Sequence, residues 1–264
     1  MSAQDIDAEA APTEYDEDGN PIPKEEVIIP VKEVVPITED MDIDHRSQNR
    51  ALATCTHREK PYVEGQEVLK LIKNGLSNVS MNHNKSYYSY KKLDLTSKKI
   101  STLYNCLENY PRIRILNLSD NLLKDISSII HMRHLEDLNV SNNKISDISI
   151  LHDNGGNLTF LGKADFSKNK LTKMSRIDVP RLYRLNLDEN QIDSCEDFNG
   201  HPYLDVLTLR KNKLTNLKGI TNCSGLKTLY LNENQITTLR DLCNNPNLEK
   251  INLKLNPIER LDDD

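Results

Sequence analysis

Residues Leu226-Lys-Thr-Leu229-Tyr-Leu231-Asn-Glu-Asn234-Gln-Ile236 set the pattern of the whole chain. Numbered from Leu226, apolar residues fall at places 1, 4, 6 and 11, with an asparagine at place 9. The same pattern recurs around Asn121, Asn143, Asn169, Asn190, Asn212 and Asn256, and in a degenerate first copy around Lys98. Successive ninth places lie 23, 22, 26, 21, 22, 22 and 22 residues apart. A unit of that length holds one short strand and one short return, and it cannot bury its apolar face alone. Stacked units can, so the 264 residues count repeats rather than separate cores.

Places 4 and 6 keep the two-residue period of a strand, and successive strands stacked in parallel give a curved sheet. Places 4, 6 and 11 are expected to point inward: Leu116, Leu118 and Leu123; Leu138, Val140 and Ile145; Leu185, Leu187 and Ile192; Leu207, Leu209 and Leu214. The ninth-place ladder, Asn121, Asn143, Asn169, Asn190, Asn212, Asn234 and Asn256, also points inward. There each amide can satisfy backbone groups exposed at the turn after the strand, a structural role. The returns place apolar residues near three-residue spacing, as at Ile126 and Ile129 or Leu217 and Ile220, which suits 3-10 turns. This consensus resembles that of the leucine-rich-repeat family. The resemblance implies an α/β fold: a right-handed solenoid of about eight 22-residue repeats, with a curved parallel sheet on the concave face and 3-10 turns on the convex face.

Three segments follow from composition. Residues 1–60 form an acidic, proline-containing tail; residues 1–50 alone hold fourteen Asp or Glu against four Lys or Arg. No self-contained core can form there, so the free tail is expected to be disordered, with Val27-Ile-Ile-Pro-Val31 as apolar beads able to lie along a partner. Residues 61–89 read as a capping helix over Glu64 to Ser77, ended by Asn74-Gly75 in the left-handed conformation, then a polar lead-in. Residues 90–264 are the solenoid, in which Asp153-Asn-Gly-Gly156 reads as a bulging loop and no capping helix follows Asn256-Pro257-Ile258.

The formal net charge is −6, and the residues after 50 carry +4 without a clustered basic face, so direct nucleic-acid binding is not expected. The start lacks basic residues followed by an apolar run, and no apolar stretch is long enough to span a membrane, so a cytoplasmic location away from membranes is expected. Four of the five cysteines recur in return segments, where a small apolar residue is wanted, and are expected to be reduced packing residues. There is no phosphate-binding glycine loop, paired-cysteine motif or nucleophile elbow, so neither catalysis, a cofactor nor a metal is implied. The pair in His131-Met-Arg-His134 sits on a return and reads as surface polar residues rather than metal ligands.

What remains is binding by the outward strand places. Tyr183, Arg184, Arg210, Tyr230 and Lys254 cluster in the C-terminal half of the concave face, and Tyr and Arg most often carry interface energy. These five are the candidate protein-binding residues.

Leu217-Lys-Gly219-Ile220 after the strand resembles the intracellular 22-residue subfamily typified by a phosphatase regulator. Further strings, Ile37-Thr-Glu-Asp-Met41, Asn74-Gly75-Leu76, Tyr90-Lys-Lys-Leu93-Asp-Leu95 and Val179-Pro-Arg-Leu182-Tyr-Arg-Leu185-Asn-Leu187, are similar to the leucine-rich-repeat proteins of ciliary radial spokes. That resemblance implies a non-catalytic scaffold of the axoneme in the cilium, part of a larger complex and held among spoke proteins by its concave face and tail. The alternatives are a regulatory subunit of protein phosphatase 1 and a spliceosomal A-prime-like ribonucleoprotein component. The inward assignment has a direct consequence. Leu209→Asp places an unpaired charge in the shared core at a cost of several kcal/mol, roughly 3 or more, and a thermal melt close to that of the parent chain would show the assignment to be wrong.

Overall fold

A computed structural model describes residues 59–81, 88–153, 155–242 and 245–259. The acidic tail to residue 58, with Ile37–Met41 and Cys55, lies outside the described residues, as do Cys243 and the last five residues.

Helix α1 (Glu59–Gly75) covers one end of the repeat array, and Val68 and Ile72, one turn apart, bury against the first strands. The helix begins earlier than Glu64 and passes straight into a strand instead of stopping at a left-handed Asn74-Gly75. The left-handed residue is Asn78, at φ 56°. Gly75 is small for another reason: a Cβ there would collide with the Asp94 carbonyl oxygen. The polar lead-in also has structure. Strand β1 (Leu76–Met81) pairs antiparallel with β2 (Tyr88–Asp94), with Leu76 opposite Leu93 and Met81 opposite Tyr88. Its apolar residues, Leu76, Val79 and Met81, follow no two-residue period, so the hairpin left no strand signature.

From β2 onward each repeat contributes one strand, all parallel: β3 (Ile115–Asn117), β4 (Asp137–Asn139), β5 (Lys163–Asp165), β6 (Arg184–Asn186), β7 (Val206–Thr208), β8 (Thr228–Tyr230) and β9 (Lys250–Asn252). Equal places pair with equal places, so the fourth-place residues Leu93, Leu116, Leu138, Ala164, Leu185, Leu207, Leu229 and Ile251 form one row. All but Ile251 are buried, and so are the sixth-place residues from Leu95 to Leu231. Each buried leucine removes enough apolar surface to contribute roughly 1.5–3 kcal/mol. Because the row is continuous, that burial exists only while neighbouring repeats stay stacked.

The turn after each strand has one solution throughout. Place 8 is left-handed in every repeat, from Ser97 at φ 57° to Leu255 at φ 58°, although none of these residues is glycine. The conformation costs on the order of 1–2 kcal/mol per residue, and the ninth-place Asn offsets it. Asn121 donates through Nδ2 to its own Leu118 and Ser119 carbonyls and to Leu95 O of the repeat before, at 2.8–3.0 Å. Its Oδ1 accepts from the N–H groups of Lys98 and Ile100 in that earlier repeat. Asn143, Asn169, Asn190, Asn212, Asn234 and Asn256 each bond backwards in the same way. The backward direction explains the degenerate first copy: no repeat precedes Lys98, so no amide is needed there.

Returns form 3-10 turns at Ser127–His131, Gly155–Asn157 and Arg240–Leu242. The expected loop at Asp153–Gly156 is instead largely helical. A short helix α2 (Ile150–Asp153) precedes the second 3-10 turn, and Leu151 and Leu158 are buried on either side. Cys106, Cys195 and Cys223 are buried and form no disulfide; burial pushes the Cys195 thiol far up and that of Cys223 to about 11, which leaves these two unreactive. Among the described residues no helix is long and apolar enough to cross a membrane.

Asn190→Leu would remove four hydrogen bonds and strand backbone groups of two buried repeats. At roughly 1–3 kcal/mol per stranded group, the expected loss is at least about 3 kcal/mol. Asn256→Leu, half-buried in the last repeat, should cost only about 1 kcal/mol. Urea denaturation of the two variants checks this; both asparagines bond backwards, so equal losses would contradict the claim that burial of the stranded groups sets the cost.

Candidate protein-binding face

The sheet face opposite the core presents places 3, 5 and 7, and a groove of about 640 Å³ crosses it from Asp137 and Asn139 on β4 to Thr228 and Tyr230 on β8. Most of the fifth-place row on this face is occupied with its own backbone. The fifth-place oxygens of Asp94, Asn117, Asn139, Asp165, Asn186 and Asn252 each accept the N–H of the seventh residue in the same repeat, at 2.8–3.2 Å. Thr96, Ser141 and Ser167 add hydroxyl bonds at 2.7 Å to the same oxygens. These short-range turns hold Asp94 below the usual aspartate range, with the Thr96 hydroxyl as the largest cause.

The row breaks at Thr208 and Tyr230. Thr208 Oγ1 donates sideways to Asn186 Oδ1 at 2.7 Å, and the Arg210 N–H is received by Asp188 Oδ1 of the repeat before, also at 2.7 Å. Arg210 Nε lies 3.7 Å from Asp188 Oδ2, an ion pair too long for a hydrogen bond. Its guanidinium lies 4.2 Å from the centre of the Tyr230 ring, and Lys250 Nζ lies 5.4 Å from it. Tyr230 is therefore held by two cations reaching diagonally from β7 and β9, an arrangement worth roughly 0.5–2 kcal/mol per contact. Two buried atoms around it, Arg210 Nε and Asn232 Oδ1, make no hydrogen bond. Unmet donors and acceptors beside an aromatic ring are what a partner can complete.

Of the five residues singled out in the sequence, Arg184, Arg210 and Tyr230 line the groove. Tyr183 and Lys254 do not. Tyr183 lies on the rim with its ring over Gly162, where an added Cβ would come within 2.7 Å of it. Lys254 is exposed, its N–H bonded to Asn252 Oδ1 at 3.2 Å. Lys250, which was not among the five, lies beside Tyr230. The seven ninth-place asparagines sit beneath the turns and contribute nothing to the face. His131 pairs with Glu108 at 3.3 Å while His134 stacks on Phe160, so the two histidines share no ligand. Among the described residues no group of three or more His, Cys, Asp or Glu could hold a metal ion.

Known proteins share this backbone and its repeat. The leucine rich repeats (2 copies) family matches residues 111–152. The solved leucine-rich repeat domain of APL1B superposes with a TM-score of 0.52 at 21% identity, covering 62% of this chain and 49% of that one. The fold is a leucine-rich-repeat solenoid. Among curated proteins, the solenoid is similar to leucine-rich repeat-containing protein 23 of Homo sapiens, 30% identical over 122 residues, which is 46% of this chain and 34% of the relative. Leucine-rich repeat-containing protein 23 of Bos taurus is 29% identical over 139 residues, covering 53% and 39%. The matches thus span well under half the length of these relatives, and they bear out the resemblance drawn from the short sequence strings.

Asp188 gives the groove a measurable signature. Burial raises its carboxyl above the ordinary value of 3.8, opposed by the Arg210 N–H and charge. A raised folded value means that its favourable contribution is full below 3.8 and is lost as pH rises through the folded value. Asp188→Asn keeps an acceptor for the Arg210 N–H and removes that dependence. In thermal melts from about pH 3 to about pH 7 the variant should gain on the parent as pH rises. A difference independent of pH would contradict the burial of this carboxylate.

Proposed function

We propose that this solenoid is a non-catalytic protein–protein interaction scaffold of the ciliary axoneme, a radial-spoke component that docks its partner on the C-terminal half of the sheet face. The observation that supports this best is the break in the self-bonded row. Where six fifth-place side chains satisfy their own turns, the fifth place of β8 is Tyr230, flanked by Arg210 after β7 and by Lys250 on β9. An aromatic ring held by two cations has little entropy left to lose on binding, and the Asp188 carboxylate, 3.7 Å from Arg210 Nε, restrains that cation in turn. The axonemal assignment rests on similarity to leucine-rich repeat-containing protein 23 together with the family strings in the sequence.

The test is cross-linking mass spectrometry on isolated cilia, comparing the parent chain with the Arg210→Ala/Tyr230→Ala double variant. The parent is expected to cross-link to radial-spoke proteins from residues around Arg210, and the double variant to lose those cross-links while melting close to the parent temperature. Unchanged cross-links would remove the face from the mechanism. Recovery of protein phosphatase 1 in place of spoke proteins would overturn the axonemal assignment.

A further inference from the structure

A second surface lies off the groove, on the rim formed by the loops that lead into the strands. The residue just before place 1 is His134, Phe160, Arg181 and Tyr203 in four successive repeats. These side chains stack along the array: the His134 and Phe160 rings are 5.8 Å apart and 24° from parallel, and the Arg181 guanidinium lies 4.8 Å over Phe160. Tyr183 leans back across Gly162 of the preceding repeat. Phe160 and Tyr183 are each 40% exposed and Tyr203 67%, in a chain whose other phenylalanines, Phe166 and Phe198, are wholly buried. The rim therefore has one aromatic station at Phe160 with His134, a second at Tyr203 two repeats on, and Arg181 in the repeat between them.

The spacing selects a ligand conformation. Strands in a sheet lie about 4.8 Å apart, so the two stations are roughly 9.6 Å apart along the array. A polyproline II segment turns once in three residues at about 3.1 Å each, which is roughly 9.3 Å. Prolines three apart would therefore meet both rings, whereas an α-helical turn of about 5.4 Å would not. Charge selects further. Glu136 and Asp205 on this side are already paired, with Arg114 at 3.1 Å and Lys227 at 3.8 Å. Arg133 and Arg181 pair with no carboxylate among the described residues. We propose that this rim docks an acidic, proline-rich segment of a partner protein in the polyproline II conformation, with prolines on Phe160 and Tyr203 and a carboxylate on Arg181. The site is separate from the groove that carries the proposed function, and the two stand or fall independently.

The test is fluorescence anisotropy of a fluorescein-labelled peptide of repeated Pro-Pro-Glu triplets titrated with the full chain. Saturable binding is expected, weakened about tenfold or more by Tyr203→Ala or Phe160→Ala, the usual reach of an aromatic anchor. Tyr203 is exposed enough that its removal leaves the fold intact, and thermal melts confirm this for each variant. Tyr230→Ala, on the other surface, should leave binding unchanged, and a peptide of Pro-Pro-Lys triplets should bind more weakly. No saturable binding, equal binding by Tyr203→Ala and the parent chain, or equal affinity for the lysine peptide would overturn the proposal.

Discussion

The structure depends on one side-chain amide used seven times. A strand-to-return turn that forces a non-glycine residue into the left-handed region in each repeat would be unstable by itself. The ninth-place Asn resolves it by bonding to backbone groups of its own repeat and of the one before. Local geometry and stacking are thereby coupled: a repeat cannot make its turn properly without a neighbour to receive the amide. The apolar rows reinforce the same coupling, because fourth- and sixth-place leucines are buried by adjacent copies. Stability in such an array comes from nearest-neighbour interfaces.

The coupling leaves the sheet face free to vary. Over β2 to β6 the face spends its polar groups on its own turns, a stable and self-contained arrangement with Asp94, Asn117, Asn139 and Asp165 as acceptors. At β7 and β8 the pattern gives way to Thr208 and Tyr230, and cations from both sides hold the ring. A position diverted from self-satisfaction to a rigid aromatic anchor weakens the local turn and gains a contact surface. The rim adds a second set of aromatics on a different face of the same repeats, so among the described residues the middle and C-terminal repeats bear most of the exposed aromatic surface beyond Tyr88.

Much of the fold was legible because buried positions admit few solutions. Places 4, 6, 9 and 11 face a shared core, and the chain repeats the same answer at each, which fixed the register down to single residues. The hairpin was not legible, since β1 is an edge strand whose residues are mostly exposed and carry no periodic signal. Gly75 was read as a left-handed terminator, yet its smallness answers a contact with Asp94, distant in sequence. The candidate face was legible in part. Arg184, Arg210 and Tyr230 were found from outward spacing, but Lys250 was missed because sheet neighbours also meet diagonally, two residues out of register, within reach of long side chains. Tyr183 lies outside the groove for a different reason: its ring fills the space left by the absent side chain of Gly162 in the repeat before.

The central claim is that the open half of the face is the C-terminal half. Hydroxyl-radical footprinting of the chain free in solution and within isolated axonemes tests it most directly, with Tyr230 reporting on β8 and the exposed Ile115 reporting on β3. The account predicts that Tyr230 loses reactivity in the axoneme while Ile115 keeps it. Protection of Ile115 with Tyr230 left equally reactive would contradict it.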